Sequence, residues 1–202
     1  MLKITPYIPI LIPIIVIGGL FNPLFGYFLM IDMIVLMVIS PFKGRFFCGN
    51  LCSRGFNNDF VLKKISRKIK IPKIFKNKIL RIIVLVVMMG FMGYRVIQSE
   101  GIVYKLGAVF VSMYLMQTVI ILVIAIAFNP RAWCYICSAG TIQRTFDRKK
   151  HILKADKSKC TYCGVCNKIC PMEISVKEII NHPDCIKCGR CIDVCPHGVL
   201  SF

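Results

Sequence analysis

The chain has 202 residues, 56% of them hydrophobic, with a mean hydropathy of +0.69 and a formal net charge of +18. That is too apolar for an ordinary water-soluble protein. The charge does not mark a nucleic-acid binder: twelve Lys/Arg fall between Lys43 and Arg81 and twelve more from Arg131 onward, flanking apolar runs as basic residues flank membrane spans, with no recognisable binding motif around them.

Residues 6–41 form one apolar run interrupted by Asp32, a few prolines, Gly26 and Asn22-Pro23. It is too long for a single crossing. Asn22-Pro23 reads as a turn between two short spans, with Lys3 placing the N-terminus inside. The alternative is one span near 24–40 preceded by an interfacial segment. Asp32 is a functional candidate as an intramembrane carboxylate, or a solvated residue near the outer face. The basic loop 43–81 follows, and within it residues 61–74 alternate apolar and Lys/Arg positions, as expected of a segment lying on anionic headgroups or of a solvated linker. Spans are expected at 82–97 and 106–128, joined by an outer turn at Gln98-Ser99-Glu100-Gly101. The expected fold is an α-helical membrane domain of four transmembrane helices over 1–145, in the cytoplasmic membrane, with both termini inside. His151, His182 and His197 are the only histidines, so no pair of membrane histidines exists to hold a haem.

Two cysteine pairs follow the spans. Cys48 and Cys52 lie in Arg45-Phe-Phe-Cys-Gly-Asn-Leu-Cys-Ser-Arg-Gly55, and Cys134 and Cys137 in Arg131-Ala-Trp-Cys-Tyr-Ile-Cys-Ser-Ala-Gly140. Each has an Arg three residues before its first Cys and a Gly three residues after its second, a loose internal repeat. Four thiols converging at the membrane surface could bind a third iron–sulfur centre or a mononuclear metal; the alternatives are unligated thiols or a redox-active dithiol. Met30, Met33 and Met37 share a helical face and Met88, Met89 and Met92 cluster on another span, as core packing does.

The last stretch is the most informative. Cys160-x2-Cys163-x2-Cys166-x3-Cys170-Pro171 is repeated 25 residues later as Cys185-x2-Cys188-x2-Cys191-x3-Cys195-Pro196. In this spacing each run gives three thiolates to one [4Fe–4S] cluster and its fourth to the other. One cluster is expected on Cys160, Cys163, Cys166 and Cys195, the second on Cys185, Cys188, Cys191 and Cys170. Zinc sites use two pairs of ligands instead. Clusters need reduced thiolates, which places this segment on the cytoplasmic side. Residues 146–202 thus read as a small α+β bacterial two-[4Fe–4S] ferredoxin domain.

The arrangement of Arg45–Gly55, Arg131–Arg144 and Cys160–Pro196 resembles the membrane-bound polyferredoxins of the NapH/NosR type and CcoG-like proteins. Their Cys-x2–3-Cys-Pro-x-Gly segments follow transmembrane helices, and a two-cluster ferredoxin domain closes the chain. Here Ser53 and Ser138 stand where that pattern has Pro. The resemblance implies electron transfer with quinol, a flavoprotein or a reductase subunit, as a component of an oxidoreductase system rather than a stand-alone enzyme. It also raises a CcoG-like copper reductase working through Cys48, Cys52, Cys134 and Cys137; a redox-sensing assembly accessory is a third reading. Lys159, Lys168, Lys187 and Arg190 are expected to steer acidic partners.

Overall fold

The computed structural model describes residues 17–19, 21–67, 69–148, 151–156, 158–175 and 182–202. Three helices among these are long and apolar enough to cross a membrane: Pro23–Lys43, Lys78–Gln98 and Val103–Ala127, with mean hydropathies of 2.1, 2.0 and 2.5. This is a membrane protein. Most of the first arm of the expected N-terminal hairpin falls outside the described residues. At Asn22-Pro23 the Asn22 side chain accepts from the Leu24 N–H and caps the short 3-10 turn Pro23–Phe25, which runs into α1, Gly26–Lys43.

α1 runs toward the first cysteine pair, with Cys48 in the short helix α2 (Phe46–Asn50) and Cys52 immediately before α3 (Ser53–Asn57). The expected interfacial segment 61–74 is not one amphipathic element. Leu62 and Ile71 are buried, Ile65, Ile69 and Ile74 are exposed, and Pro72 interrupts the backbone. Its Arg67 and Ile69 N–H groups donate to the carbonyls of Ile126 and Phe128, covering carbonyls that a helix C-terminus leaves unpaired.

Helix α4 is Lys78–Gln98, capped by the Asn77 side chain on the Ile79 N–H at 2.9 Å. It begins four residues before the apolar run does, because a cap rather than hydropathy sets the start. Helix α5 is Val103–Ala127, and Glu100 and Gly101, both at positive φ, turn the chain between them. At the end of the bundle away from the cysteines, α1 and α5 touch backbone to backbone. A β-carbon on Gly26 would strike the Gly107 carbonyl, and one on Gly107 the Pro23 carbonyl.

After α5 come α6 (Trp133–Ile136) and α7 (Ser138–Phe146). The C-terminal region is tied by β1 (Lys154–Ala155) and β2 (Leu200–Ser201), antiparallel with Ala155 opposite Leu200. Between them α8 (Val165–Ile169) and α9 (Arg190–Asp193) start at equivalent positions of the sequence repeat. The repeat extends to the backbone: left-handed residues recur at the 25-residue offset as Tyr162 and Lys187, Gly164 and Gly189, Glu173 and Gly198. The two cysteine loops are therefore one local design used twice.

Candidate iron–sulfur centres

The eight ferredoxin-type cysteines separate into two groups. Cys160, Cys163, Cys166 and Cys195 line a cavity of about 510 Å³. Cys170, Cys185, Cys188 and Cys191 line a second, tighter one of about 20 Å³. These are the two ligand sets expected from the spacing, with the fourth cysteine of each run crossing to the other group. All twelve cysteines are free thiols. Among the described residues no three or more His, Cys, Asp or Glu side chains are grouped as around a single metal ion. The donor chemistry fits a cluster. Backbone N–H groups of Val199, His197, Gly198 and Leu200 pull the Cys195 thiol below its ordinary pKa, the N–H···S environment that thiolate-bound clusters use. Cys191, by contrast, is pushed up to about 12 by burial and by Cys188, Cys185 and Cys170 around it; iron is the charge that lets such a group ionise together.

The four remaining thiols also converge. Cys48, Cys52, Cys134 and Cys137 line one cavity of about 160 Å³ at the mouth of the helix bundle, and the internal repeat explains how. Arg45 is buried and donates from Nη2 to the Cys134 carbonyl at 2.5 Å. Arg131, equally buried, donates from Nη1 to the Cys48 carbonyl at 3.0 Å and lies 3.7 Å from the Cys134 Sγ. Each arginine thus clasps the other segment's first cysteine. The glycines of the repeat make room for this: a β-carbon at Gly140 would come within 2.8 Å of Arg45 Nη2, and one at Gly55 within 2.5 Å of Arg131 Nη1. Burial pushes Cys48 to about 12, with Arg45 opposing, and Cys52 to about 11. Cys134 is raised as well, burial outweighing Arg131. Burial thus disfavours the thiolate form of Cys48, Cys52 and Cys134 unless a positive charge compensates it.

The same cavity reaches into the bundle. Asp32 lines it, with its side chain exposed, and so do Met33, Met88, Met89, Met92 and Met113. Met30 and Met37, from the stripe on α1, face outward instead. Among the described residues the Tyr114 hydroxyl and the Trp133 indole N–H, both lining this cavity, have no hydrogen-bond partner.

Two carboxylates, neither of which the sequence singled out, lock the C-terminal cysteine loops onto this platform. Asp184, immediately before Cys185 and 4% exposed, accepts from three arginines: Arg45 at 3.2 Å, Arg81 at 2.7 and 3.0 Å, and Arg144 at 3.1 and 3.3 Å. Asp59 takes a two-pronged contact from Arg131 at 2.9 and 2.7 Å and a further bond from Arg190, the neighbour of Cys191. Burial alone would raise the Asp59 carboxyl, but Arg131 and then Arg190 hold it below the usual range. Asn50 donates to the Lys187 carbonyl at 3.1 Å, Tyr135 donates its hydroxyl to the Met172 carbonyl at 2.5 Å, and Gly49 leaves no room for a β-carbon against the Ile186 carbonyl. The expectation that Lys187 and Arg190 steer partners is overturned. Lys187 is 7% exposed and pairs with Asp147 at 2.9 Å, and Arg190 is held by Asp59. Lys159 remains at the surface.

The Cys170/Cys185/Cys188/Cys191 site is therefore the inner one, wedged against the Cys48 segment. The other is the outer one, with Cys163 exposed and Tyr162 beside it 66% exposed.

Comparison with known proteins agrees with this chemistry. Residues 25–72 match a 4Fe-4S binding domain and residues 125–201 a 4Fe-4S dicluster domain. The protein carries two [4Fe–4S] clusters. The uncharacterized protein MJ0749 of Methanocaldococcus jannaschii is 30% identical over 183 residues, 85% of this chain and 70% of its own length. The uncharacterized protein MJ0750 of the same organism is 31% identical over 189 residues, 86% of this chain and 78% of its own. No solved structure matches. The chain belongs to one family with these two archaeal proteins, and it is an iron–sulfur, ferredoxin-like member of it.

Proposed function

We propose that this protein transfers electrons between a membrane redox pool and a soluble redox partner, working in the cytoplasmic membrane with its ferredoxin-like end on the cytoplasmic side. When bound, the clusters supply one-electron storage and relay. Cys160, Cys163, Cys166 and Cys195 hold the outer cluster, and Cys170, Cys185, Cys188 and Cys191 the inner one. The observation that carries the reading is the succession of cysteine sites. The quartet at the bundle mouth adjoins the inner site through Gly49 and Ile186, and the outer site presents Cys163 at the surface. Cys48, Cys52, Cys134 and Cys137 hold a third iron–sulfur centre. The match over 25–72 supports this: that stretch contains Cys48 and Cys52 alone, so a four-thiolate site there needs Cys134 and Cys137.

The residues do the positioning. Arg45 and Arg131 fix the quartet's backbone, Asp59 and Asp184 fix the inner loop against it, and the methionines and Phe110 give the cavity an apolar lining. Tyr114 and Trp133, whose hydroxyl and indole N–H lack partners among the described residues, line this cavity at the mouth of the apolar bundle, which favours a membrane-borne carrier such as a quinol as one partner. Lys159 and Tyr162 mark where an acidic flavoprotein or reductase subunit docks. Reconstituted in liposomes, the protein should exchange electrons with a lipid-soluble carrier anaerobically: clusters reduced with dithionite should regain their absorbance when the oxidised carrier is added. Clusters that reduce with dithionite but with no lipid-soluble donor or acceptor sink this reading. A second reading, reduction of a soft metal ion at the quartet, is favoured by methionines lining the same cavity as the four thiols. Metal reduction that survives replacement of the quartet by serine eliminates it.

A further inference from the structure

Charge is distributed unevenly between the two ferredoxin-type sites. Around the inner loop three guanidiniums, of Arg45, Arg81 and Arg144, share the single carboxylate of Asp184. Two more, of Arg131 and Arg190, share Asp59. In both groups cations outnumber the acids that hold them. Arg45, Arg81 and Arg131 are 1–3% exposed, so water and salt screen them little. Sequence position ties this excess to the inner site: Asp184 precedes Cys185, and Arg190 precedes Cys191. The outer site has no such cage among the described residues. Its nearby Lys159 is 75% exposed and sits 3.8 Å from Asp156, where its charge is screened. Four thiolates around a cluster carry net negative charge that grows on reduction, and local positive charge that is poorly screened favours the reduced form.

We propose that the arginine cage on Asp184 and Asp59 makes the inner cluster the higher-potential one, so that electrons donated at the exposed outer site collect next to the membrane quartet. The cage is a positioning and tuning device; none of its side chains is a ligand. This also gives the chain a direction: downhill flow runs from the soluble partner toward the bundle. The inference rests on the ligand assignment under Proposed function.

The test is anaerobic potentiometry followed by EPR on the full-length protein in detergent, with iron content measured on each sample. Cys163→Ser, which removes an outer ligand, identifies the inner signal. In the wild type the inner cluster should be reduced first, by at least tenfold in the reduction equilibrium, equivalent to 59 mV for a one-electron couple. Arg144 is 32% exposed, so its replacement is tolerable. Arg144→Gln should lower the inner potential and leave the outer one in place, and Arg144→Lys should restore it. Asp184→Asn removes a negative charge and should move the inner potential the other way. Loosening of the loop would shift both variants in the same direction, so opposite signs separate tuning from a purely structural role. If Asp184→Asn fails to load clusters, the contrast between Arg144→Gln and Arg144→Lys decides. Full iron with an unmoved inner potential, or shifts of one sign, overturns the inference alone. Wild-type protein lacking the inner cluster overturns the ligand assignment as well.

Discussion

Replacing Arg131 is the sharpest test of how the cysteine platform is built. Its guanidinium is 1% exposed and makes a two-pronged pair with Asp59, at 2.9 and 2.7 Å, plus a 3.0 Å bond to the Cys48 carbonyl. Arg131→Met keeps much of the side-chain volume but removes both. Breaking a buried ion pair from one side costs about 3–5 kcal/mol. Asp59 keeps Arg190, which argues for the lower end. The stranded Cys48 carbonyl adds ~1–3 kcal/mol. A total of ~4 kcal/mol corresponds to a fall of roughly 8–16 °C in melting temperature for a chain of this size. The double variant Arg131→Met/Asp59→Leu should recover at least ~2 kcal/mol of this, because it leaves no buried carboxylate missing a partner. Thermal unfolding in detergent, followed by tryptophan fluorescence from Trp133, reads both. A single variant that melts within ~2 °C of wild type, or a double variant worse than the sum of its parts, refutes the reciprocal clasp.

Three further outcomes follow from the same geometry. Gly140→Val and Gly55→Val should each destabilise about as much as loss of the arginine they face, whereas Gly90→Ala on α4, with nothing within 4 Å of an added β-carbon, should change stability by no more than ~1 kcal/mol; parallel melts compare them. Tyr135→Phe removes the hydroxyl that Met172 accepts from and should cost ~1–2 kcal/mol, seen as faster amide exchange across 170–175 while the helices stay protected. Replacing Asp32 with Asn should alter coupling to a lipid-soluble carrier, since Asp32 lines the quartet's cavity, and leave the iron content unchanged; loss of iron would show a structural role instead.

The sequence revealed the ferredoxin-like sites because ligand spacing around a cluster is local. Two residues between cysteines, a left-handed Gly164 or Gly189, and a closing Pro are all near neighbours. The spans were visible for a similar reason, as runs of apolar side chains, but their starts were not: Asn77 sets the beginning of α4, and Lys78 and Arg81 count against it in any hydropathy window. The Arg…Cys…Cys…Gly repeat was noticed without its purpose, since Arg45 acts on Cys134 and Arg131 on Cys48, each more than eighty residues away. Asp59 and Asp184 gave still less sign. The usable clue was scarcity: a chain with nine acids against twenty-seven Lys/Arg has few carboxylates to spare for its buried arginines. The same blindness made Lys187 and Arg190 look like surface charges when both are engaged within the fold.

The central claim is that three cysteine-built centres run from the bundle mouth to the surface. It is tested most directly by anaerobic iron and acid-labile sulfide content, with EPR of the reduced protein, on wild type and on Cys48→Ser/Cys52→Ser/Cys134→Ser/Cys137→Ser. The account predicts about 12 Fe per chain in wild type, falling to about 8 in the variant with two cluster signals retained. About 8 Fe in both would contradict it, and would leave the membrane thiols as packing around a tethered two-cluster ferredoxin.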